Sequence, residues 1–154
     1  MDTSVTLIGI VITILIAIPL YKVFRSNAVN KKRIKEIMAE HPKFKFGQTQ
    51  TLNKKTYALD EKGKGFLFID FNYKPDKNWF VDLNQVSASR LIPTTENFSG
   101  EIIKIELEFS YKNSTKELVP VYNIEHDQIT QVCLHEDHEL AKEWQKKIII
   151  ALAN

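Results

Sequence analysis

The side chains best suited to metal or acid–base chemistry lie near the end of the chain, in a cluster of histidines and carboxylates. The members of this cluster are His126, Asp127, His135, Glu136, Asp137, His138 and Glu139. Imidazole and carboxylate groups bind zinc, but helical zinc sites place two histidines four residues apart with a glutamate between them. His135 and His138 are only three residues apart. Because capping and the helix dipole explain acidic residues at a helix start, we expect no metal ion here.

Cys133 is the only cysteine, which excludes an intramolecular disulfide and fits a reducing compartment. A nucleophilic thiol requires a base, an orienting group and donors for the developing negative charge. The sequence offers only the nearby His135, so the pattern favours a half-buried, unreactive thiol. The chain has only five glycines, and Gly63-Lys64-Gly65 lacks the rest of any phosphate-binding loop. We therefore predict a protein that is not an enzyme and has no cofactor.

Aromatic residues and lysines alternate in NYKPDKNWF, which contains the predicted turn NYKPDKN, in a pattern that suggests stacking on nucleic acid. Residues 56–154, however, carry eleven Lys and Arg against sixteen Asp and Glu, a net charge of 11 − 16 = −5, which disfavours phosphate binding. Tyr73 and Trp79 are instead candidate partner-binding residues, because exposed aromatic rings contribute strongly to protein interfaces. Trp79 equally suits the start of a buried strand.

The first part of the chain predicts a membrane anchor. The residues from Thr3 to Tyr21 form an uncharged run of nineteen. As a helix this run is about 28 Å long, against a hydrocarbon core of about 30 Å. A signal peptide has a basic segment before a shorter core, whereas Asp2 precedes this run and Lys22 follows it. We therefore predict an uncleaved transmembrane anchor over residues 1–22.

The basic residues that follow the apolar run predict its orientation. No Lys or Arg precedes the run, so the positive-inside rule places the N-terminus outside and the C-terminal domain in the cytoplasm. Residues 23–43 are predicted to form a basic juxtamembrane helix or linker that ends at Pro42. Its charges either only set the orientation or also contact anionic lipid. The candidate lipid contacts are Lys31, Lys32, Arg33 and Lys35.

Residues 44–154 are predicted to form a cytoplasmic domain of six or seven antiparallel strands. The clearest strand is IIKIELEFSY, in which apolar and polar residues alternate. KTYALD and GFLFIDF flank a glycine-containing turn and are expected to pair. WFVDL and VSASRLI follow, with Pro93 closing the second, and Gln48 to Leu52 adds a further strand. KELVPVYNI is expected at an edge or with a bulge, since Pro120 cannot donate a ladder hydrogen bond.

The last twenty residues, HEDHELAKEWQKKIIIALAN, change from strand period to helix period. Their apolar positions form one stripe, and Trp144 is expected to be the main anchor of this helix on the strands. The predicted fold class is therefore α+β: an N-terminal transmembrane helix, then a small antiparallel β-sandwich or barrel closed by a C-terminal amphipathic helix.

This order of elements resembles that of bacterial pleckstrin-homology-like domains. The resemblance rests on the strands, on TYALDEKGKGFLFIDF and DLNQVSASRLI, and on the closing helix with Trp144, over about residues 46–153. It implies binding of headgroups, peptides or proteins rather than catalysis. Lipid-binding members cluster Lys and Arg around the first hairpin, whereas this hairpin places Lys62 and Lys64 beside Asp60 and Glu61.

Taken with the anchor, this resemblance leads us to expect a single-pass membrane protein that acts as an adaptor or assembly protein. Its expected partners are the lipid bilayer and a protein, and no nucleic acid. The alternative is a membrane-surface sensor of anionic headgroups, and a small membrane-bound enzyme is less favoured because no reaction centre is evident in the sequence.

Overall fold

In the computed structural model, which describes residues 3–126 and 130–154, the chain begins with one long helix. This helix, α1, runs from Thr3 to Ala39 and continues through Pro19. The hydroxyl of Thr13 donates a hydrogen bond to the carbonyl of Gly9, 2.8 Å away. The apolar run and most of the basic segment that follows it therefore belong to a single helix, which ends before Pro42.

From Ile8 onward, α1 is long and apolar enough to cross a membrane, and its apolar window is not buried. The exposed fractions of its large apolar residues from Ile8 to Phe24 lie between 48% and 71%. A surface of this kind is unfavourable in water and favourable in lipid, where a helix also satisfies its own backbone hydrogen bonds. The chain divides into two compact units, Met1–Ile37 and Met38–Asn154. We call the second unit the β domain.

Over its described residues, the β domain contains seven antiparallel strands in two sheets, which do not close into a barrel. The first sheet has the order β1-β2-β3-β4, formed by Gln48–Leu52, Lys55–Asp60, Gly65–Asp70 and Lys77–Asp82. A short 3-10 helix, Leu83–Gln85, leads into the second sheet. That sheet has the order β5-β6-β7, formed by Val86–Thr95, Ile102–Tyr111 and Lys116–Asn123. Gln48–Leu52 is thus the seventh strand that the sequence suggested.

One apolar core contains side chains from both sheets, and the rings of Phe66 and Phe109 approach to 5.6 Å between centroids. The alternation predicted for β6 is confirmed, because Ile105, Leu107 and Phe109 are fully buried. The opposite face of β6 is less exposed to solvent than expected. Two of its carboxylates are buried in ion pairs, which are Glu106 with Lys104 (2.6 Å) and Glu108 with Arg90 (2.5 Å) and Lys116 (3.3 Å).

Both prolines of the second sheet lie on its edge strands. Pro120 is in β7 beside a bulge, because Ile105 pairs with Tyr122 whereas Glu106 pairs with Pro120, as the sequence predicted. Pro93, in contrast, does not end its strand, because β5 continues to Thr95. Since β5 is the other edge of the sheet, the missing amide hydrogen of a proline there need not cost a ladder bond.

The C-terminal helix, α2, runs from Thr130 to Ala153 and packs on both sheets. Trp144 is fully buried, and its ring stacks on Tyr57 with centroids 5.4 Å apart. Its indole Nε1 donates a hydrogen bond to Oε1 of Gln50 at 3.1 Å. The role predicted for Trp144 is therefore confirmed. The helix begins five residues before His135, so Asp137 lies beyond its first turn and does not cap it.

Candidate functional site

The predicted partner-binding residues, Tyr73 and Trp79, lie together around the β3–β4 turn. Their ring centroids are 6.0 Å apart with an angle of 68° between the planes. Both side chains are half-buried. Trp79 also packs on Phe68, at 5.7 Å, and against the core. Trp79 therefore contributes to strand packing, the second interpretation of its pattern, while it contacts Tyr73.

Two further residues complete what we call the aromatic cluster: Tyr73, Trp79, Lys77 and His126. The ammonium group of Lys77 lies 4.5 Å from the centroid of the Tyr73 ring, a cation–π arrangement. The His126 ring lies 4.3 Å from the same ring. Aromatic side chains that combine an apolar face with a polar edge are enriched at protein interfaces. The cluster brings such groups together from two regions of the chain.

The rest of the predicted histidine and carboxylate cluster is dispersed. His126 contacts Tyr73, His135 is exposed and Asp137 is buried. Burial and the nearby Lys142 lower the pKa of His138. In the part of the chain that the structure describes, no three His, Cys, Asp or Glu side chains are grouped to hold a metal ion. Asp127 lies outside the described residues.

Among the other predicted residues, Cys133 is half-buried on α2, as expected. Of the candidate lipid contacts on α1, the lysines are exposed and Arg33 is half-buried. Glu36 lies 3.9 Å from the Lys32 ammonium and 3.6 Å from the Arg33 guanidinium. Exposed pairs of this kind contribute at most about 1 kcal/mol. Because Glu36 offsets only one of the four basic side chains, the segment keeps a positive surface.

A buried ion pair that the sequence did not predict joins β2 to α2. The Lys55 ammonium lies 2.7 Å from Oδ2 of Asp137, and the two side chains are only 1% and 2% exposed. Asn53 donates a hydrogen bond of 2.9 Å to the other carboxylate oxygen. Lys55 alternates with Tyr57 and Leu59 along β2, so its position on the core face was a readable signal that it needs a buried acidic partner.

The segment of residues 41–46, which we call the strap, lies on the outer face of the first sheet. His41 stacks on Phe80 with ring centroids 4.0 Å apart, and Phe44 contacts the same ring at 4.9 Å. The Phe44 ring also occupies the space beside Gly65, where an added Cβ would lie 2.4 Å from its Cδ1. The backbone amide of Lys45 donates a hydrogen bond of 2.7 Å to Asp60.

Between the strap and the β2–β3 turn lies a cavity of about 470 Å³. It is lined by Lys43, Lys45, Gly47, Gln48, Leu59, Asp60, Glu61, Lys62 and Gly63. We call it the lysine cavity. Its volume falls within the range of about 300 to 1,000 Å³ that is usual for small-molecule sites.

The chain was compared with protein-family models, curated proteins and solved structures. None of the three comparisons finds a match. The function of this chain therefore has to be argued from its own geometry. That geometry offers two surfaces: the aromatic cluster, which suits a protein partner, and the lysine cavity, which suits a small polar ligand.

Proposed function

We propose that this protein is a non-catalytic, membrane-anchored adaptor or assembly subunit. It presents a pleckstrin-homology-like β-sandwich at the cytoplasmic face of the membrane and binds a partner protein there. The order of strands followed by a closing helix, with Trp144 of that helix fully buried, supports the domain type. The apolar surface of α1 supports the anchor, and the charges after residue 21 support the orientation.

The observation that carries the binding function is the aromatic cluster. Tyr73 and Trp79 are held in place by ring contacts, and Lys77 adds a positive charge beside them. Aromatic rings that are already ordered lose little side-chain entropy on binding, which favours their use as interface anchors. A domain fixed to the membrane by a helix also has a raised local concentration for partners in the same membrane.

Site-specific cross-linking in native membranes tests this function. A photoreactive phenylalanine analogue replaces Tyr73 in the full-length chain, and the same analogue replaces Phe98 in a matched control. Phe98 is fully exposed, at 102%, in the β5–β6 turn, so it reports non-specific collisions of an aromatic residue. We expect one protein to cross-link at position 73 and not at position 98.

Substitutions then measure the contribution of the cluster. Tyr73→Ala is expected to weaken binding of that protein about thirtyfold, the effect of losing an interface hot spot of about 2 kcal/mol. Phe98→Ala is expected to leave it unchanged. Identical products at both positions, or retention of the partner by Tyr73→Ala, would exclude the aromatic cluster as the binding surface.

A lipid sensor is the second candidate function, because the basic residues of α1 are exposed. The helix makes this alternative weaker. With Lys22 at the membrane surface, Lys31 to Lys35 lie about 14 to 20 Å further along a continuous helix. Attraction between charges is screened over about 8 Å at physiological salt, which is shorter than this distance. Salt-dependent binding of residues 22–154 to anionic vesicles, absent for neutral vesicles and weakened by Lys31→Gln with Lys35→Gln, would favour the sensor over the adaptor.

A further inference from the structure

The strand β4 lies at an edge of the first sheet and lacks the features that protect edge strands from pairing. In the described parts of the chain it pairs with β3, in an unbroken register from Lys77 to Asp82. The two edges of the second sheet differ, because β5 contains Pro93, β7 contains Pro120, and a register shift accompanies each strand. Prolines and bulges keep an edge from adding a strand of another chain. The edge of β4 has neither and is therefore open to such a strand.

The hydrogen bonds beside β4 identify the backbone groups that face outward. The amide of Leu83, just after the strand, donates a hydrogen bond of 2.8 Å to the carbonyl of Lys64, just before β3. Because bonded and non-bonded pairs alternate in an antiparallel ladder, the odd-numbered residues of β4 bond to β3. The amides and carbonyls of Asn78, Phe80 and Asp82 therefore point away from β3. Among the described residues, no other segment forms backbone hydrogen bonds with these three.

The same strand carries a half-buried aromatic ring on each of its faces. Trp79 packs against the core, and Phe80 lies on the outer face, where His41 stacks on it. The remaining edge, β1, also lacks a proline, but its sequence QTQTL offers no aromatic ring. A strand added beside β4 would remove apolar surface of both rings from water, which is favourable. Of the four edges, β4 thus combines open backbone groups with apolar surface.

We propose that β4 pairs with β4 of a second copy of this chain, antiparallel and about a twofold axis at Phe80. Outward-facing residues have to pair with one another, and this register satisfies that condition. Phe80 then lies opposite Phe80 of the second copy, and Trp79 lies opposite Val81. Asn78 lies opposite Asp82, whose carboxylate accepts a hydrogen bond from its side-chain amide. Aromatic pairs and aromatic pairs with β-branched residues are the cross-strand combinations that stabilise a sheet.

The charges at the two ends of β4 favour the same arrangement. Antiparallel pairing places the Lys77 end of each strand beside the Asp82 end of the other, whereas parallel pairing would place Lys77 beside Lys77. A twofold axis at Trp79 would also match the outward-facing residues. It would, however, set Asn78 against Phe80 and Lys77 against Val81, so the complementary pairs are lost. The sequence of the strand therefore fits itself best in the register centred at Phe80.

This dimer goes beyond the adaptor function and does not depend on it. Two six-residue strands bury little surface, so the contact is a weak one in solution. Chains held in one membrane have a raised local concentration, which makes a weak contact sufficient. The dimer is measured with the purified chain alone, whereas the adaptor function requires a different protein at Tyr73. Failure of one proposal is therefore distinguishable from failure of the other.

Energy transfer between donor-labelled and acceptor-labelled full-length chains in phosphatidylcholine vesicles tests the dimer. Asn78→Pro removes an outward amide hydrogen from an exposed residue, so it costs no hydrogen bond to β3. We expect it to raise the apparent dissociation constant at least tenfold, because each copy loses a hydrogen bond across the interface. No energy transfer by the unmodified chain at high protein-to-lipid ratio, or an unchanged constant for Asn78→Pro, would overturn the proposal.

A proline on the opposite edge of the same sheet provides the matched control. Phe71 donates a backbone hydrogen bond to Lys54, so the even-numbered residues of β2 bond to β3. Thr49 on β1 pairs with Ala58, and its amide therefore also points outward. Thr49→Pro is expected to change the dissociation constant less than twofold. An equal effect of both prolines would mean that the substitution acts on the fold and not on an interface at β4.

Disulfide cross-linking tests the register without a proline. Asn78→Cys and Asp82→Cys are made in separate chains that also carry Cys133→Ser, and the two chains are reconstituted together or singly. Opposite residues of a bonded pair have Cα atoms about 5.5 Å apart, within the range for a disulfide. Two copies of position 78, or of position 82, lie about 13 Å apart along the strands. We expect covalent dimers only in the mixed sample, and equal cross-linking in the single samples would contradict the twofold axis at Phe80.

Discussion

Lys55 and Asp137 form an ion pair that water hardly reaches, and their dependence on each other decides what each substitution does. Removing one partner leaves a buried charge without compensation, which typically costs about 3 to 5 kcal/mol. Asp137→Ala is therefore expected to lower the free energy of unfolding by about that amount. Urea unfolding of the full-length chain in detergent measures it, because both tryptophans, Trp79 and Trp144, lie in the β domain and report on it alone.

An apolar replacement of the whole pair provides the control. Lys55→Met combined with Asp137→Leu removes both charges and keeps similar volumes, and such replacements are often neutral. We expect the double variant to be more stable than Asp137→Ala by about 2 kcal/mol or more. Equal stability of the two variants would mean that the charges themselves stabilise the domain, contrary to this expectation.

Asp60 makes stability depend on pH in the acidic range. Its carboxyl pKa lies below the ordinary value of 3.8, because backbone hydrogen bonds from Gly63, Lys45 and Lys62 outweigh the effect of burial. A lowered folded-state pKa stabilises the fold above the unfolded-state pKa, and this stabilisation is lost as pH falls through the folded-state value. Urea midpoints measured from pH 5 to pH 2.5 are expected to fall less for Asp60→Asn than for the unmodified chain. Parallel curves would contradict this assignment.

The strap fits most closely against the first sheet at Gly65. A Cβ at Gly65 would lie 2.4 Å from Cδ1 of Phe44 and 2.9 Å from its Cγ, so the ring has to move. Gly65→Ala is expected to cost about 1 to 3 kcal/mol, the usual range for overpacking. It is also expected to speed tryptic cleavage after Lys43 and Lys45, because a displaced strap becomes accessible.

Two variants show whether the contact with Phe44 is the cause. Gly47→Ala places its Cβ where nothing lies within 4 Å, so its cleavage rate is expected to match that of the unmodified chain. Phe44→Ala combined with Gly65→Ala removes the clash and tests whether the two positions interact. Additive effects of the two substitutions would contradict a shared contact.

Regular alternation is the feature of these elements that sequence predicts best. β6 spans IIKIELEFSY, and Ile105, Leu107 and Phe109 on one side of that strand pack in the apolar core. The β2–β3 hairpin was equally predictable, since its two strands are joined by a short turn. The period of a strand and the position of a turn depend on residues that are close in sequence, so both can be predicted from one sequence.

Contacts between distant segments were not predictable in the same way. The Lys55–Asp137 pair and the strap join parts of the chain that have no common period. The start of α2 was placed too late because the acidic residues before Leu140 resemble a helix cap, whereas Asp137 turns towards Lys55. The lysine cavity was missed for this reason too: its lysines come from two segments that only the fold brings together.

For the whole molecule, the arrangement of charge along the chain determines how a membrane would orient it. Residues 1–21 carry one acidic residue and no basic one, while residues 22–55 carry ten Lys and Arg against two Glu. Such a difference across one apolar helix favours the cytoplasm for the basic side. The β domain supplies its own reporters of orientation, because Asn97 and Asn113 lie in glycosylation sequences on exposed turns.

Synthesis of the full-length chain in the presence of microsomes tests this orientation. The unmodified chain is expected to insert without glycosylation, since both asparagines stay on the cytoplasmic side. Moving the charges, with Asp2→Lys and Thr3→Lys before the helix and Lys22→Gln and Arg25→Gln after it, is expected to invert a fraction of the chains and add up to two glycans. Asn97→Gln and Asn113→Gln in the inverted variant should each remove one. Glycosylation of the unmodified chain would place the β domain outside and remove the adaptor from the cytoplasm.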